Sequence, residues 1–454
     1  MAKTYDSYKD SGIAWIGEIP SEWGVCRIKD IYQERSETTE TGTERLLSVS
    51  EYYGVAPTAD KIEDGDYLTR AESLIGYKKC YKDDFVSNIM LAWKGSFGTT
   101  KYDGIVSPAY CVYKPVSTIS PEYYHYLFRT DLYKSRFKSY SKGIIDSRLR
   151  LYTPFFYLVD AILPPLSEQQ SIASFLNTKC GEIDSLISLQ EEMISELQAY
   201  KQSVITEAVT KGLDPNAKMN CCASREKNDA CISSSETQPA IERKFKDSGV
   251  EWIGEIPEKW SKDKVFRVFA NIGSGTTPKA TEDSNFEGEI NWIQSGDING
   301  SIMNSCKNKI SQQVLNKYSA LKIYKAPFII VAMYGASVGN ISVSMIDGCV
   351  NQACCVMSDS VHYFDYLFYA IKSAKDYLIY RAEGGGQPNI SQDKLKNLWL
   401  PIPPLSEQQA IASYLDVKTS QIDSLISLKQ QKIDELKSYK KSIIYEYVTG
   451  KKRV

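Results

Sequence analysis

The run "LFRTDLYKSRFKSYSKGIIDSRLR", Leu127 to Arg150, carries seven Lys/Arg against two Asp, with Tyr133, Phe137 and Tyr140 between them. Cations interleaved with aromatics suit phosphate contacts, and arginines can also pair with guanine edges. Lys142, Arg148 and Arg150 are the candidates here, and Lys94, Ser96, Lys101 and Tyr102 extend the set upstream. Taken alone, this segment reads equally well as a solvated helix face. Two glycine-rich stretches further on offer related chemistry. "GSGTTPKA" at Gly273 is a flexible turn with hydroxyls and a lysine (Ser274, Thr276, Thr277, Lys279) that could hug a phosphate. "GGGQPNIS" at Gly384 presents Gln387 and Asn389, whose amides can bind adenine at two points.

Other chemistries find no support. There is no Gly-Lys-Ser/Thr phosphate loop, no Asp/Asn-Pro-Pro-aromatic segment of an amino-methyltransferase, and no Gly-x-Gly-x-x-Gly after a strand. The two histidines, His125 and His362, lie in aromatic helical stretches and are expected to be packed, not catalytic. Eleven cysteines include no CxxC pair; Cys221, Cys222 and Cys231 cluster in a polar stretch without histidine, which argues against a metal site and for reduced thiols. No residue is assigned a catalytic or metal-binding role. A net charge of −2 means that any nucleic-acid contact must come from local patches. No apolar run approaches the ~20 residues that span a bilayer. The start, "MAKTYDSYKDSG", lacks the apolar core of a signal peptide, so the expected compartment is the cytoplasm.

The elements that must position these residues come in two copies. "PPLSEQQSIASFLNTK" at Pro164 returns as "PPLSEQQAIASYLDVK" at Pro403, and 19 of 26 positions from there to Leu189 and Leu428 are identical. "KDSGIAWIGEIPSEW" at Lys9 returns as "KDSGVEWIGEIPEKW" at Lys246. The middles share only a skeleton, Asp-Gly-x-Val-x-x-Ala, at Asp103 and Asp347. Two prolines stop a strand, and Ser167 with Gln170, repeated as Ser406 with Gln409, predicts a capping box at a helix start. A heptad-like stripe follows: Ile183, Leu186, Met193, Leu197, Tyr200 and Val204, then Ile422, Leu425, Leu436, Tyr439 and Ile443 in the second copy. Gly212 and Gly450 are the expected helix ends. Residues 182–211 carry six acidic and two basic groups, and 421–453 four acidic and eight basic, so the helices favour pairing with each other over self-pairing; the alternative is that each packs separately on its own domain. "DDFVSNIMLAWKGS" and "APFIIVAMYG" read as buried strands, "SPEYYHYLFRTDLYKSRF" as a helix, and residues 212–245 as a linker.

Taken together, "SGIAWIGEIPSEW", "PPLSEQQSIASFL" and their second copies resemble the specificity subunits of type I restriction-modification enzymes over essentially the whole chain. "GSGTTPK", "WIQSGDI", "YGASVGN", "VNQACC" and "GQPNIS" resemble the family's target-recognition signatures, which adds Ser295, Asp297, Tyr334, Ser337 and Asn340 to the candidate DNA contacts. The resemblance implies an α+β fold with an internal pseudo-twofold repeat. Two globular α/β target-recognition domains (1–163 and 246–402) would be separated by long antiparallel coiled-coil helices (164–211 and 403–454). Each domain would read half of a bipartite site in double-stranded DNA. The helices would set the spacer and dock two modification subunits, with restriction subunits as further partners. The resemblance places S-adenosylmethionine on the modification subunits, ATP and Mg on the restriction subunits, and no cofactor on this chain. The alternatives are a coiled-coil scaffold without DNA binding and a self-sufficient methylating enzyme, the latter lacking its cofactor motif.

Overall fold

The computed structural model describes residues 4–61, 73–213, 243–279, 286–335, 337–382 and 389–454. Gln387, Cys221, Cys222, Cys231 and most of the expected linker lie outside the described residues. The chain divides into two compact units, Met1–Glu192 with Lys429–Val454, and Met193–Leu428. Each unit therefore contains part of both long helices, Leu166–Lys211 and Leu405–Val448.

In the first unit, a four-stranded antiparallel sheet runs in the order Tyr32–Arg35, Tyr110–Pro115, Phe85–Asn88, Phe97–Thr99. In the second, Asn271–Gly273, Cys354–Ser358, Phe328–Ala332 and Ile341–Ser344 repeat that order and those directions, and Ile302–Met303 adds a fifth, parallel strand. A further three-stranded sheet, Lys309–Ile310, Ile290–Ile293 and Cys349–Val350, belongs to the second unit alone. The two middles are thus more alike than their sequences suggest. The Asp-Gly-x-Val skeleton is the residue of that likeness. Asp103 accepts the backbone N–H of Lys82 at 2.7 Å and Asp347 that of Ala326 at 2.9 Å, each just ahead of a central strand. Val106 and Val350 are fully buried behind them.

The duplicated ends form a common frame. Trp23 Nε1 donates to Glu168 Oε2 at 2.6 Å, and Trp260 Nε1 to Glu407 Oε2 at 3.0 Å. Gln169 and Gln408, both buried, accept the N–H of the residue that opens a helix earlier in the chain (Ser120, 2.9 Å; Tyr363, 2.8 Å) and donate to the carbonyls of Pro164 and Pro403. A buried amide with both ends satisfied cannot be exchanged without stranding a partner. That is the physical reason for writing Glu-Gln twice after Pro-Pro. The expected capping boxes do not mark the helix starts: the helices begin at Leu166 and Leu405, which places Ser167 and Ser406 inside the first turn. Gly212 and Gly450 do end them, at φ of +76° and +74°, the left-handed cap that favours glycine.

The segment expected as one helix is two, Pro121–Phe128 and Asp131–Tyr140, because the Thr130 hydroxyl accepts the N–H of Tyr133 and starts a new helix. The buried line along the long helices also differs from the expected stripe. Leu176, Cys180, Ile183 and Ile187 are buried in the first, and Leu415, Thr419, Ile422, Ile433, Ile443 and Tyr447 in the second. Gln190, Ile194, Leu197, Lys201 and Val204, with Ile426, Lys429, Leu436 and Lys440, continue that line half-buried. Leu186, Met193, Tyr200, Leu425 and Tyr439 are 36–56% exposed and belong to an outer face. Within the first unit Lys440 Nζ meets Asp184 Oδ2 at 2.7 Å; within the second, Lys201 Nζ meets Asp423 Oδ1 at 2.6 Å. These are the same two residues of the repeat in both units, with the roles of the helices exchanged.

Candidate nucleic-acid interface

Strand register decides which loops can form one surface. In the second unit, Gly273 pairs with Val356, Ala332 with Cys354, and Val331 with Ile341. The loop residues 274–279, 333–335, 337–340 and 351–353 therefore all lie at one end of the sheet. They are tied to each other and to the turn 294–298. Ser337 Oγ donates to the Ser295 carbonyl at 2.7 Å, and Asn340 Nδ2 to that of Ile298 at 3.1 Å. The Thr277 hydroxyl donates to Gln352 Oε1, and Trp292 Nε1 reaches the Thr276 carbonyl at 3.3 Å. Tyr324, its phenol pushed up to about 12 by burial, donates to the Ser274 carbonyl at 3.2 Å. Gly275 is needed because a Cβ there would run into the Val350 carbonyl.

The cluster separates side chains that hold the loops from side chains that face outward. Asp297 accepts the N–H of Gln294 at 2.9 Å and Asn340 accepts from Lys375 Nζ at 3.0 Å, so these two side chains, with Ser337, hold the loops in shape. Thr277, Lys279, Gln352 and Asn389 are exposed, and Ser274, Thr276, Ser295, Tyr334 and Asn351 are partly so. Asn351 and Gln352 lie on this surface too; the sequence marks their segment, "VNQACC", but does not single them out.

The first unit presents a different surface at the corresponding end of its sheet. Asn88 leads into a turn holding Trp93 and Lys94, and Leu151 N donates to the Ile89 carbonyl at 2.9 Å, which seats the loop 141–151 beside it. Lys138 Nζ lies 4.9 Å from the centroid of the Trp93 ring and 2.9 Å from Asp146. Lys142 and Arg150 exchange backbone hydrogen bonds at 2.9 and 3.0 Å, and both side chains, with Arg148, are exposed. The structure thus brings Lys94, Lys142, Arg148 and Arg150 to one region.

Three upstream candidates do not join it. Ser96 is buried and its hydroxyl donates to the Val49 carbonyl at 3.1 Å, so it cannot face DNA. Lys101 and Tyr102 follow Thr99, which pairs with Phe85, and so lie at the opposite end of the sheet from Asn88. Tyr102 packs there against the core and beneath the Arg45 guanidinium. Two cations of the basic run are structural: Arg129 donates to the carbonyls of Gly95, Phe97, Glu51 and Tyr52, and Arg136 lies over Trp15 and Tyr140. His125 fits against Gly54 and Gly98 and accepts the Thr99 N–H; burial lowers its pKa to about 3 and keeps it neutral. Among the described residues no group of His, Cys, Asp and Glu could hold a metal ion, and no helix is long and apolar enough to cross a membrane.

Comparison with known proteins settles the family. The type I restriction modification DNA specificity domain matches twice, over residues 20–199 and 257–438. The chain belongs to that family. It is 25% identical to the putative type I restriction enzyme MjaX specificity subunit of Methanocaldococcus jannaschii, over 97% of this chain and 96% of that one. It is also 25% identical to the MjaVIII specificity subunit of the same organism, over 96% and 94%. A solved structure described as the basis of complex assembly and conformational transition in a type I system shares the fold, with a TM-score of 0.67 and 16% identity over 95% of this chain and 98% of that one. The chain is a DNA-specificity subunit of the type I class, the non-catalytic member of such an enzyme.

Proposed function

We propose that each unit reads one half of a bipartite DNA site through the loop end of its sheet, while the two long helices set the distance between the halves. The observation that carries this reading is that one sheet, in one strand order, is built twice and ends in unrelated loops. A duplicated frame with unlike loops recognises two unlike sequences. In the second unit Thr277, Lys279, Ser295, Gln352 and Asn389 are the proposed contacts; in the first, Lys94, Lys142, Arg148 and Arg150. Lysines and hydroxyls suit the phosphates, while amides and arginines suit base edges.

The spacer role assigns the long helices to an antiparallel coiled coil. Its support is the heptad spacing of the half-buried and buried positions and the repeated ion pairs Lys440–Asp184 and Lys201–Asp423. Docking of two modification subunits is assigned to the outer face, where Leu186, Leu189, Met193 and Tyr200, with Leu425, Leu428 and Tyr439, stand 36–61% exposed. S-adenosylmethionine would be bound by those subunits, and ATP and Mg by restriction subunits. The test is to map methylated bases across the genome of cells that express this chain with its modification subunits. Two specified half-sequences around a spacer of fixed length and free sequence are expected. A single continuous motif would contradict two independent readers.

A further inference from the structure

The tip of the loop 142–150 is apolar and bare: Ile144 is 99% exposed and Ile145 53%. Adjacent isoleucines held in water need a reason, because burying such a side chain is worth about 1.5–3 kcal/mol. This tip is not a frayed end. Its base is closed by the two backbone hydrogen bonds between Lys142 and Arg150, and Leu149 is buried beneath it. Arg148 N donates to the Ile145 carbonyl at 2.8 Å, and Lys138 pins Asp146 at 2.9 Å. Gly143 approaches the Arg148 carbonyl so closely that a Cβ would lie 2.6 Å from it. The exposed cations Lys142, Arg148 and Arg150 flank the tip on both arms.

An apolar point between cations complements a groove walled by phosphates: the cations bind the walls and the point enters between them. We infer that Ile144 and Ile145 enter the DNA groove and contact bases through apolar surface, making this loop a specificity element of the first unit. The inference rests on the half-site reading above and adds to it a sequence contact made without hydrogen bonds. Two partners on the base share this chemistry: a thymine methyl group, or a base step opened by a wedge.

The test uses the full-length chain assembled with its modification subunits, and a duplex carrying its mapped site. A second duplex has the half-site read by the first unit scrambled. The Ile144→Ala/Ile145→Ala variant is expected to lose about 10-fold or more in affinity for the site. Its affinity for the scrambled duplex and its salt dependence should stay unchanged, and Ile144→Ser/Ile145→Ser should behave alike. Replacing thymines of that half by uracil should weaken only the wild type if the contact is a methyl group. A rise in 2-aminopurine fluorescence on binding, absent from the variant, would instead identify a wedge. Equal losses on both duplexes, or none, would overturn the inference. So would a variant that keeps its affinity for DNA but fails to assemble with the modification subunits, or a wild-type complex that needs the tip to bind anionic phosphatidylserine vesicles. Full discrimination by the variant removes the apolar tip contact and leaves the half-site reading standing; a wild type that does not discriminate the two duplexes removes the half-site reading itself.

Discussion

The two units build the same sheet from different chemistry. In the first, the core is aromatic: Phe85 stacks on Phe156 at 5.7 Å, and Tyr32, Phe97, Tyr113, Phe128 and Phe137 gather around them. In the second, the sheet contributes aliphatic and sulfur side chains, Ile329, Val331, Ile341, Val343, Cys355 and Met357, and the aromatics of that cluster, Trp260, Phe269, Tyr366 and Tyr369, come from outside the strands. What does not vary is the frame, where Trp23 donates to Glu168 and Trp260 to Glu407 in the first turn of each long helix. Cores tolerate exchange when volume and pattern are kept. A buried polar contact does not, because removing one partner strands the other. This is why the ends of the halves stayed alike while the middles diverged.

If that contrast is right, equivalent changes in the frame should cost the same in both units. Trp23→Ala and Trp260→Ala should each lose about 3–5 kcal/mol of stability in the unit that holds them. Hydrogen exchange measured unit by unit checks this; a loss in one unit only would break the equivalence.

Changes at the loop ends should instead be confined to one half-site. Arg148→Ala and Arg150→Ala are each expected to weaken binding by about 1–3 kcal/mol where the arginine reads a guanine edge, with discrimination lost only in the half read by the first unit. Competition between duplexes altered in one half or the other gives the answer. Loss of discrimination in both halves would contradict separate readers.

Acid should distinguish the units as well. His125 has a folded pKa of about 3 against 6.5 for the unperturbed group, so the unfolded chain takes up a proton that the folded unit refuses. Stability therefore falls as pH drops below about 6.5, by roughly 1–2 kcal/mol at pH 5. His362 is lowered by burial but opposed by Asp263, so the second unit should respond less. His125→Asn should flatten the acid slope of the first unit in exchange measurements.

The frame was legible in the sequence because its contacts need particular residue types at fixed positions. The inner line of the long helices was not. Apolarity alone put Leu186, Met193 and Tyr200 on it, whereas Gln190, Lys201, Lys429 and Lys440 occupy heptad positions with their stems half-buried and their ends at partners. Nor could the sequence show that Lys94 and Lys101, seven residues apart, stand at opposite ends of a sheet, since that depends on Phe85 pairing with Thr99. The motif segments of the second unit, "GSGTTPK", "WIQSGDI", "YGASVGN" and "VNQACC", do meet around one sheet end, but which side chains hold and which face outward became visible only with the hydrogen bonds.

The central claim is that one frame carries two independent readers. The most direct measurement replaces residues 25–163 with the corresponding stretch of a related specificity subunit and maps the methylated motif in cells. A motif changed in one half, with the other half intact, is the expected result. A motif in which both halves change together would contradict the account.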